Sequence, residues 1–279
     1  MRPSPVLPAG WPAGRTLAVS VSVMLEGWTD NAAPGVGPMG NVLKPGVLDL
    51  QGRSWAEYGA KEGAWRLLDV LAKAEVTAVF YVSGILAERN PVLMQAIASA
   101  GHAIAAHGWG QEIIPATQSM EDERADLTRC ITALHASSGQ RPRGWLSPRC
   151  TPSAHTTSLL AEAGLDWHCE FFDEDLPRVV TTPHGTITAI PFTMEVNDMP
   201  HAVRYGNDPS AYVGILTEIL DGWPAIATRP ACLDVTVHAH VYGRPYGAIA
   251  FRRALAELQA RQDFVFTTNH DALGRLYGG

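Results

Sequence analysis

Residues 16–28 read Thr-Leu-Ala-Val-Ser-Val-Ser-Val-Met-Leu-Glu-Gly-Trp. The run is rich in β-branched residues, has the length of a strand and stops at Glu26-Gly27, so it reads as a buried strand with a carboxylate at its carboxyl end. An unpaired buried charge is very costly, so a carboxylate there has a capping partner or a function. Residues 30–54 follow, with Gly, Pro, Asn and Asp and no period, which marks a long loop that could act as a lid over a site. Residues 64–74 then carry apolar side chains at helical spacing and residues 76–82 are again β-branched, which completes a strand–helix–strand unit.

The alternation continues along the chain. Helices are predicted over residues 91–100, 120–137, 153–163, 212–223 and 248–262. Strands are predicted over 102–106, 144–146, 167–170, 233–241 and 264–267, with a hairpin-like stretch over 179–191. Six or seven such units with no linker between them predict one α/β domain over residues 1–279, a parallel (β/α) barrel entered by an arm of residues 1–15.

Composition narrows the function. With 21 Lys+Arg against 28 Asp+Glu the formal charge is -7, which leaves no electrostatic footprint for nucleic acid. No apolar run approaches the ~20 residues of a membrane span, and three prolines within the first eight residues and a fourth at Pro12 do not suit a secretory signal. The four cysteines, with no CxxC pair, suit reduced thiols, and the expectation is a cytoplasmic protein. No P-loop or GxSxG occurs, so water is the expected nucleophile.

In a barrel of this kind the site is built from loops at the carboxyl ends of the strands. Glu26, His107, Arg149, Asp198, His238 and His240 all fall there on this reading. His107 ends a short strand just before Gly108 and Trp109, and Trp109 could wall a pocket. Period two places His238 and His240 on one side of a strand, each able to act as acid, base or ligand, or else to form a hydrogen-bonded structural pair. His102 is assigned to the opposite end as a satisfied histidine.

As a set these residues resemble the polysaccharide deacetylase family, and within it the branch of metal-independent allantoinases and cyclic imide hydrolases. The resemblance is carried in order by SVMLEGW (22–28), SWAEYGAKEGAWRLLDVL (54–71), FYVSGILAERNP (80–91), AGHAIAAHGW (100–109), RPRGWLSPRCTPS (141–153), DEDLPRVV (173–180), IPFTMEVNDMP (190–200) and HAHVYGRP (238–245). It implies a distorted (β/α) barrel and hydrolysis of a carbon–nitrogen bond in a small amide, cyclic imide or ureide. The alternatives it leaves are deacetylation of a polysaccharide or N-acetyl sugar, and a catalytically silent binding member.

Sugar deacetylases of the family hold a metal with an acidic pair ending strand one and an HxxxH pair. Here strand one ends Leu25-Glu26, and four residues after His107 stands Gln111, a poor zinc ligand. The resemblance therefore implies catalysis without a resident metal; a single divalent ion such as zinc, if bound, would rest on Glu26 and His107. It also implies catalytic roles for Glu26, His107, His238 and Arg149, and contacts to a small-molecule substrate from Trp28, Trp109, Asp175, Asn197, Asp198 and His240. A homo-oligomer is expected.

Overall fold

The structure, a computed structural model, describes residues 7–30, 32, 43–44 and 47–278. Its first strand, β1 (Leu17–Leu25), is the axis of the fold because it pairs in parallel with three others. On one side lies β9 (Ala231–His238), matched along almost its whole length from Leu17↔Ala231 to Met24↔His238. The other side is shared. The first half of β1 pairs with β10 (Val265–Thr268) and the second half with β2 (Val79–Val82).

From β2 the sheet continues through β3 (Ala103–Ala106), β4 (Gly144–Trp145), β5 (Trp167–His168) and β7 (Gly185–Ala189) to β6 (Arg178–Thr182) at one edge, and from β9 to β8 (Val196–Asn197) at the other. Every pairing is parallel except the β6–β7 hairpin. The result is a sheet curled into a half-barrel, open between β8 and β6, which is the distorted form of the expected barrel.

Period two sorts the strand residues between two cores. Leu17, Val19, Val21, Val23 and Leu25 face the helices, with Phe80, Val82, Ile104 and Ala106 from neighbouring strands. Ala18, Met24, Tyr81, Ala105 and Cys169 face the concave interior. The helical layer comprises α1 (Leu50–Tyr58), α2 (Ala64–Ala74), α3 (Gly84–Arg89), α4 (Pro91–Ser99), α5 (Met120–Ser138), α6 (Thr156–Glu162), α7 (Pro209–Ile226) and α8 (Pro245–Gln259). The last helix, α9 (His270–Gly278), instead packs inside the curl, burying His270 and Leu273 against β1 and β5.

Several boundaries differ from expectation. The predicted strand 233–241 ends at His238, because the backbone N–H groups of Val241 and Tyr242 both turn back to the His238 carbonyl. Residues 50–54 open helix α1, which runs through one widened turn (Gly59–Gly63) into α2. Helices α1, α3 and α9 and strand β8 were not expected. Most of the lid segment 30–54, and residues 1–6 of the arm, lie outside the described residues. The rest of the arm is anchored by Trp11, which is buried edge-on against Phe266 at 4.8 Å.

Candidate active site

Register brings the chemistry together. Leu25, Val82 and Ala106 occupy one rung of the sheet, linked to Trp145 on β4, so the residues that follow them, Glu26, Ser83, His107 and Leu146, line the carboxyl rim as neighbours. His238, opposite Met24, ends β9 on the same rim. A network of backbone and hydroxyl contacts holds the chain after β1: Ser83 N–H donates to the Leu25 carbonyl, Gly27 N–H donates to Ser83 Oγ, and Gln111 N–H donates to the Gly27 carbonyl. Thr29 is tied down in turn by Glu112, which accepts from its N–H at 3.0 Å and from its hydroxyl.

Three imidazoles surround the Glu26 carboxylate. His107 Nε2 lies 3.6 Å and His238 Nε2 3.8 Å from Oε1, and His240 Nε2 lies 3.8 Å from Oε2. Burial works to raise the Glu26 pKa, but the charge of His238 and the closeness of His107 and His240 outweigh it and hold the carboxyl at about 2. Glu26 is therefore a carboxylate throughout the neutral range.

The histidines are not equivalent. His238 Nδ1 is 2.6 Å from Asp198 Oδ1, and the Asp198 carboxylate also accepts the backbone N–H of His238 at 2.8 Å. Burial lowers the His238 pKa, yet the charges of Asp198 and Glu26 overcome this and raise it. Asp198 itself is fully buried, and burial raises its pKa against the pull of His238.

His107 donates from Nδ1 to the Leu146 carbonyl at 2.6 Å, which leaves Nε2 to face Glu26. His240 is the odd one. Burial drives its pKa down to about 4, so it is neutral, and neither of its ring nitrogens has a hydrogen-bond partner among the described residues. It sits edge-on to Trp55 at 4.6 Å and Trp28 at 5.8 Å, and Trp28 Nε1 is also buried and has no partner among the described residues. A cavity opens over this corner, lined by Glu26, Gly27, Trp28 and Thr29 with Arg53 and Arg89 at its edge.

His240 reaches Glu26 by a turn and not by strand alternation, since β9 has already ended. Two glycines in the widened helical turn allow it. Gly59 packs on the backbone of His240, where a Cβ would come within 3.1 Å of its nitrogen, and a Cβ on Gly63 would collide with the Ala239 carbonyl. Single widened turns of this kind are frequent at functional sites.

The remaining predicted residues lie elsewhere. Trp109 is buried in the helical layer, beneath the Arg129 guanidinium at 3.4 Å and against Gly84, and is absent from the cavity lining. Asn197 is buried and caps its own turn, accepting Met199 N–H at 3.0 Å. The Asp175 carbonyl accepts from Cys232 N–H at the amino end of β9, roughly 20 Å along the strand from His238, and its side chain pairs with Arg229 at 3.0 Å. Arg149 is exposed and left-handed (φ 56°), without an ion pair to Glu26 or Asp198. His102 is buried at the far end of β3, where its Nδ1 accepts Ala78 N–H.

Trp55, Ser83 and Glu170 emerge only from the coordinates. Glu170 is buried, and burial raises its pKa to about 7 although both the N–H and the hydroxyl of Ser147 donate to its Oε1. The sequence signal for Trp55 was its place in the stretch 54–71, which no spacing argument tied to the rim.

The donor set does not fit a resident metal of the usual kind. Among the described residues no group of three or more His, Cys, Asp or Glu side chains is disposed to hold an ion. At the place of the second histidine, Gln111 turns its amide N–H groups onto Ser83 Oγ and the His107 carbonyl, each at 3.1 Å. Only its amide oxygen is left, a weak ligand. No helix among the described residues is long and apolar enough to cross a membrane.

Comparisons agree with this architecture. The family model for polysaccharide deacetylase matches residues 56–168. The solved structure of a probable polysaccharide deacetylase from Pseudomonas aeruginosa PAO1 superposes with a TM-score of 0.87 at 26% identity, covering 98% of this chain and 94% of that one. The structure of Puue allantoinase superposes equally well, with a TM-score of 0.87 at 25% identity over 98% of this chain and 93% of that one. A Schizosaccharomyces pombe protein named as a polysaccharide deacetylase is 26% identical over 213 residues, 68% of this chain and 64% of its own length. The chain thus spans just under two thirds of that relative.

Proposed function

We propose that this chain, which carries a polysaccharide deacetylase domain over residues 56–168, hydrolyses a carbon–nitrogen bond of a small cyclic amide, imide or ureide with water activated by Glu26. The observation that carries the reading is the convergence of His107, His238 and His240 on one buried carboxylate, at 3.6, 3.8 and 3.8 Å. These spacings exceed a hydrogen bond, so a water at about 2.8 Å from Glu26 can also reach an imidazole nitrogen.

The roles follow from the charges. Glu26, ionised at neutral pH, accepts a proton as the water oxygen bonds to the substrate carbonyl carbon. His238, whose pKa is raised against its burial by the charges of Asp198 and Glu26, gives its proton to the nitrogen as the carbon–nitrogen bond breaks. The proton gained by Glu26 then restores His238, so the sum is substrate plus water giving acid plus amine or amide nitrogen. The unpartnered donors of Trp28 and of neutral His240 are available for the polar edges of the ring or for the oxyanion. The indole of Trp28 on the cavity wall, with that of Trp55 against His240, supports a small planar ring as substrate.

A second reading, removal of an N-acetyl group from a sugar, is favoured by the names of the curated relatives. Both reactions are acyl transfers to water. Incubating the purified protein with hydantoin, allantoin, succinimide and N-acetylglucosamine oligomers, with and without chelator, separates them. Ring opening that survives chelation supports the first reading; release of acetate alone supports the second.

A further inference from the structure

Glu170 lies outside the proposed chemistry yet is one of the few fully buried carboxyls, and its contacts lead straight to His107. Its Oε1 accepts both the backbone N–H and the hydroxyl of Ser147, each at 2.7 Å, and Trp145 Nε1 donates to that same hydroxyl at 3.1 Å. The residue before Ser147 is Leu146, whose carbonyl takes the Nδ1 proton of His107 at 2.6 Å. Leu146 also donates its N–H to the Ala106 carbonyl, on the residue before His107. The Ser147 N–H held by Glu170 and the Leu146 carbonyl that sets the histidine therefore belong to one rigid peptide unit.

We propose that Glu170 is a positioning residue: by clamping Ser147 through two hydrogen bonds it fixes the Leu146 carbonyl, and with it the ring orientation and tautomer of His107. A carbonyl can only accept, so a carbonyl held at this place dictates that Nδ1 carries a hydrogen and that the ring turns Nε2 towards Glu26. β4 is only two residues long and stops at Trp145, so the sheet ladder itself does not hold Ser147. The side chain from β5 supplies that constraint. The second Glu170 oxygen is buried without a partner and plays no part in the clamp. Orienting partners of this kind are the general means by which a functional histidine keeps one tautomer.

The inference rests on the proposed reaction only in treating His107 as part of the centre, and its test needs no substrate. Long-range proton–nitrogen NMR spectra at pH 7 report which ring nitrogen of His107 carries hydrogen, the signal being assigned by its loss in His107→Gln. Wild type and Glu170→Gln, whose amide oxygen can still accept both Ser147 hydrogens, are expected to show the single Nδ1–H form. Glu170→Ala is expected to show a mixture, and in any substrate assay to lose about 10–100-fold in kcat with little change in KM, restored for the most part by Glu170→Gln. If the alanine variant is unfolded, Glu170→Asp, which withdraws the carboxyl by one methylene, is read in the same way. A folded Glu170→Ala or Glu170→Asp protein in which His107 keeps the pure Nδ1–H form overturns the proposal, as does its loss in folded Glu170→Gln. A hydrolase that fails on every substrate would leave these spectra unaffected.

Discussion

Asp198 grips His238 twice, with Oδ1 2.6 Å from the ring Nδ1 and Oδ2 2.8 Å from the backbone nitrogen of the same residue. The double contact fixes both where β9 ends and which nitrogen of the ring faces Glu26. It also supplies negative charge that raises the His238 pKa against the effect of burial.

That charge sets a pH prediction. His238 acts as an acid only while protonated, so its raised pKa places a basic limb in kcat/KM above the ordinary histidine value of 6.5. Asp198→Asn preserves shape but removes the charge, so the His238 pKa falls and the limb moves to lower pH. At pH 7 the rate should drop by about 10²-fold or more. A pH–rate profile of the two proteins checks both; an unmoved limb contradicts the assignment of the acid.

A second pH dependence concerns stability. Asp234, on the concave face of β9, accepts from Ser22 Oγ at 2.8 Å and from the Thr236 hydroxyl, yet burial raises its pKa from 3.8 to about 7. The folded protein thus binds this proton more tightly than the unfolded chain, and stability is lost as pH rises from about 4 through 7. Asp234→Asn mimics the protonated form. Its melting temperature relative to wild type should climb between pH 5 and pH 8, by an amount worth on the order of a few kcal/mol; a difference constant across that range contradicts the shift.

The Gln111 position offers a metal test. Gln111→His places a second imidazole four residues after His107, the HxxxH spacing that the family resemblance associates with a metal. Elemental analysis after zinc exposure and desalting should find the variant loaded stoichiometrically and the wild type well below it. Equal zinc in both would show that Gln111 is not what decides ion binding.

Much of the fold was legible in the sequence because its strands are β-branched runs and its helices keep an apolar period. Glu26, His107 and His238 were legible for the related reason that each stands at the end of such a run, and a parallel sheet gathers those ends on one rim. His240 was found by the wrong route. Alternation along a strand would have brought it alongside His238, but the chain turns at His238 and two glycines in the neighbouring helix let that turn close in. Trp109 misled because an indole after a rim histidine reads as a pocket wall, while Gly84 and Arg129 receive it into the helical layer. Asp175 misled because an acidic run before Leu-Pro carries no signal of which end of the sheet it crosses. Glu170 and Trp55 could not be read at all, since their importance lies in contacts with Ser147 and His240, 23 and 185 residues away.

The central claim, that Glu26 activates the attacking water, is tested most directly by the turnover of Glu26→Gln on whichever ring substrate the wild type opens. Glutamine keeps the size and cannot take a proton, so kcat should fall by about 10²–10⁴-fold with the circular dichroism spectrum and melting profile of a folded protein. A folded Glu26→Gln protein that turns over at the wild-type rate would contradict the account.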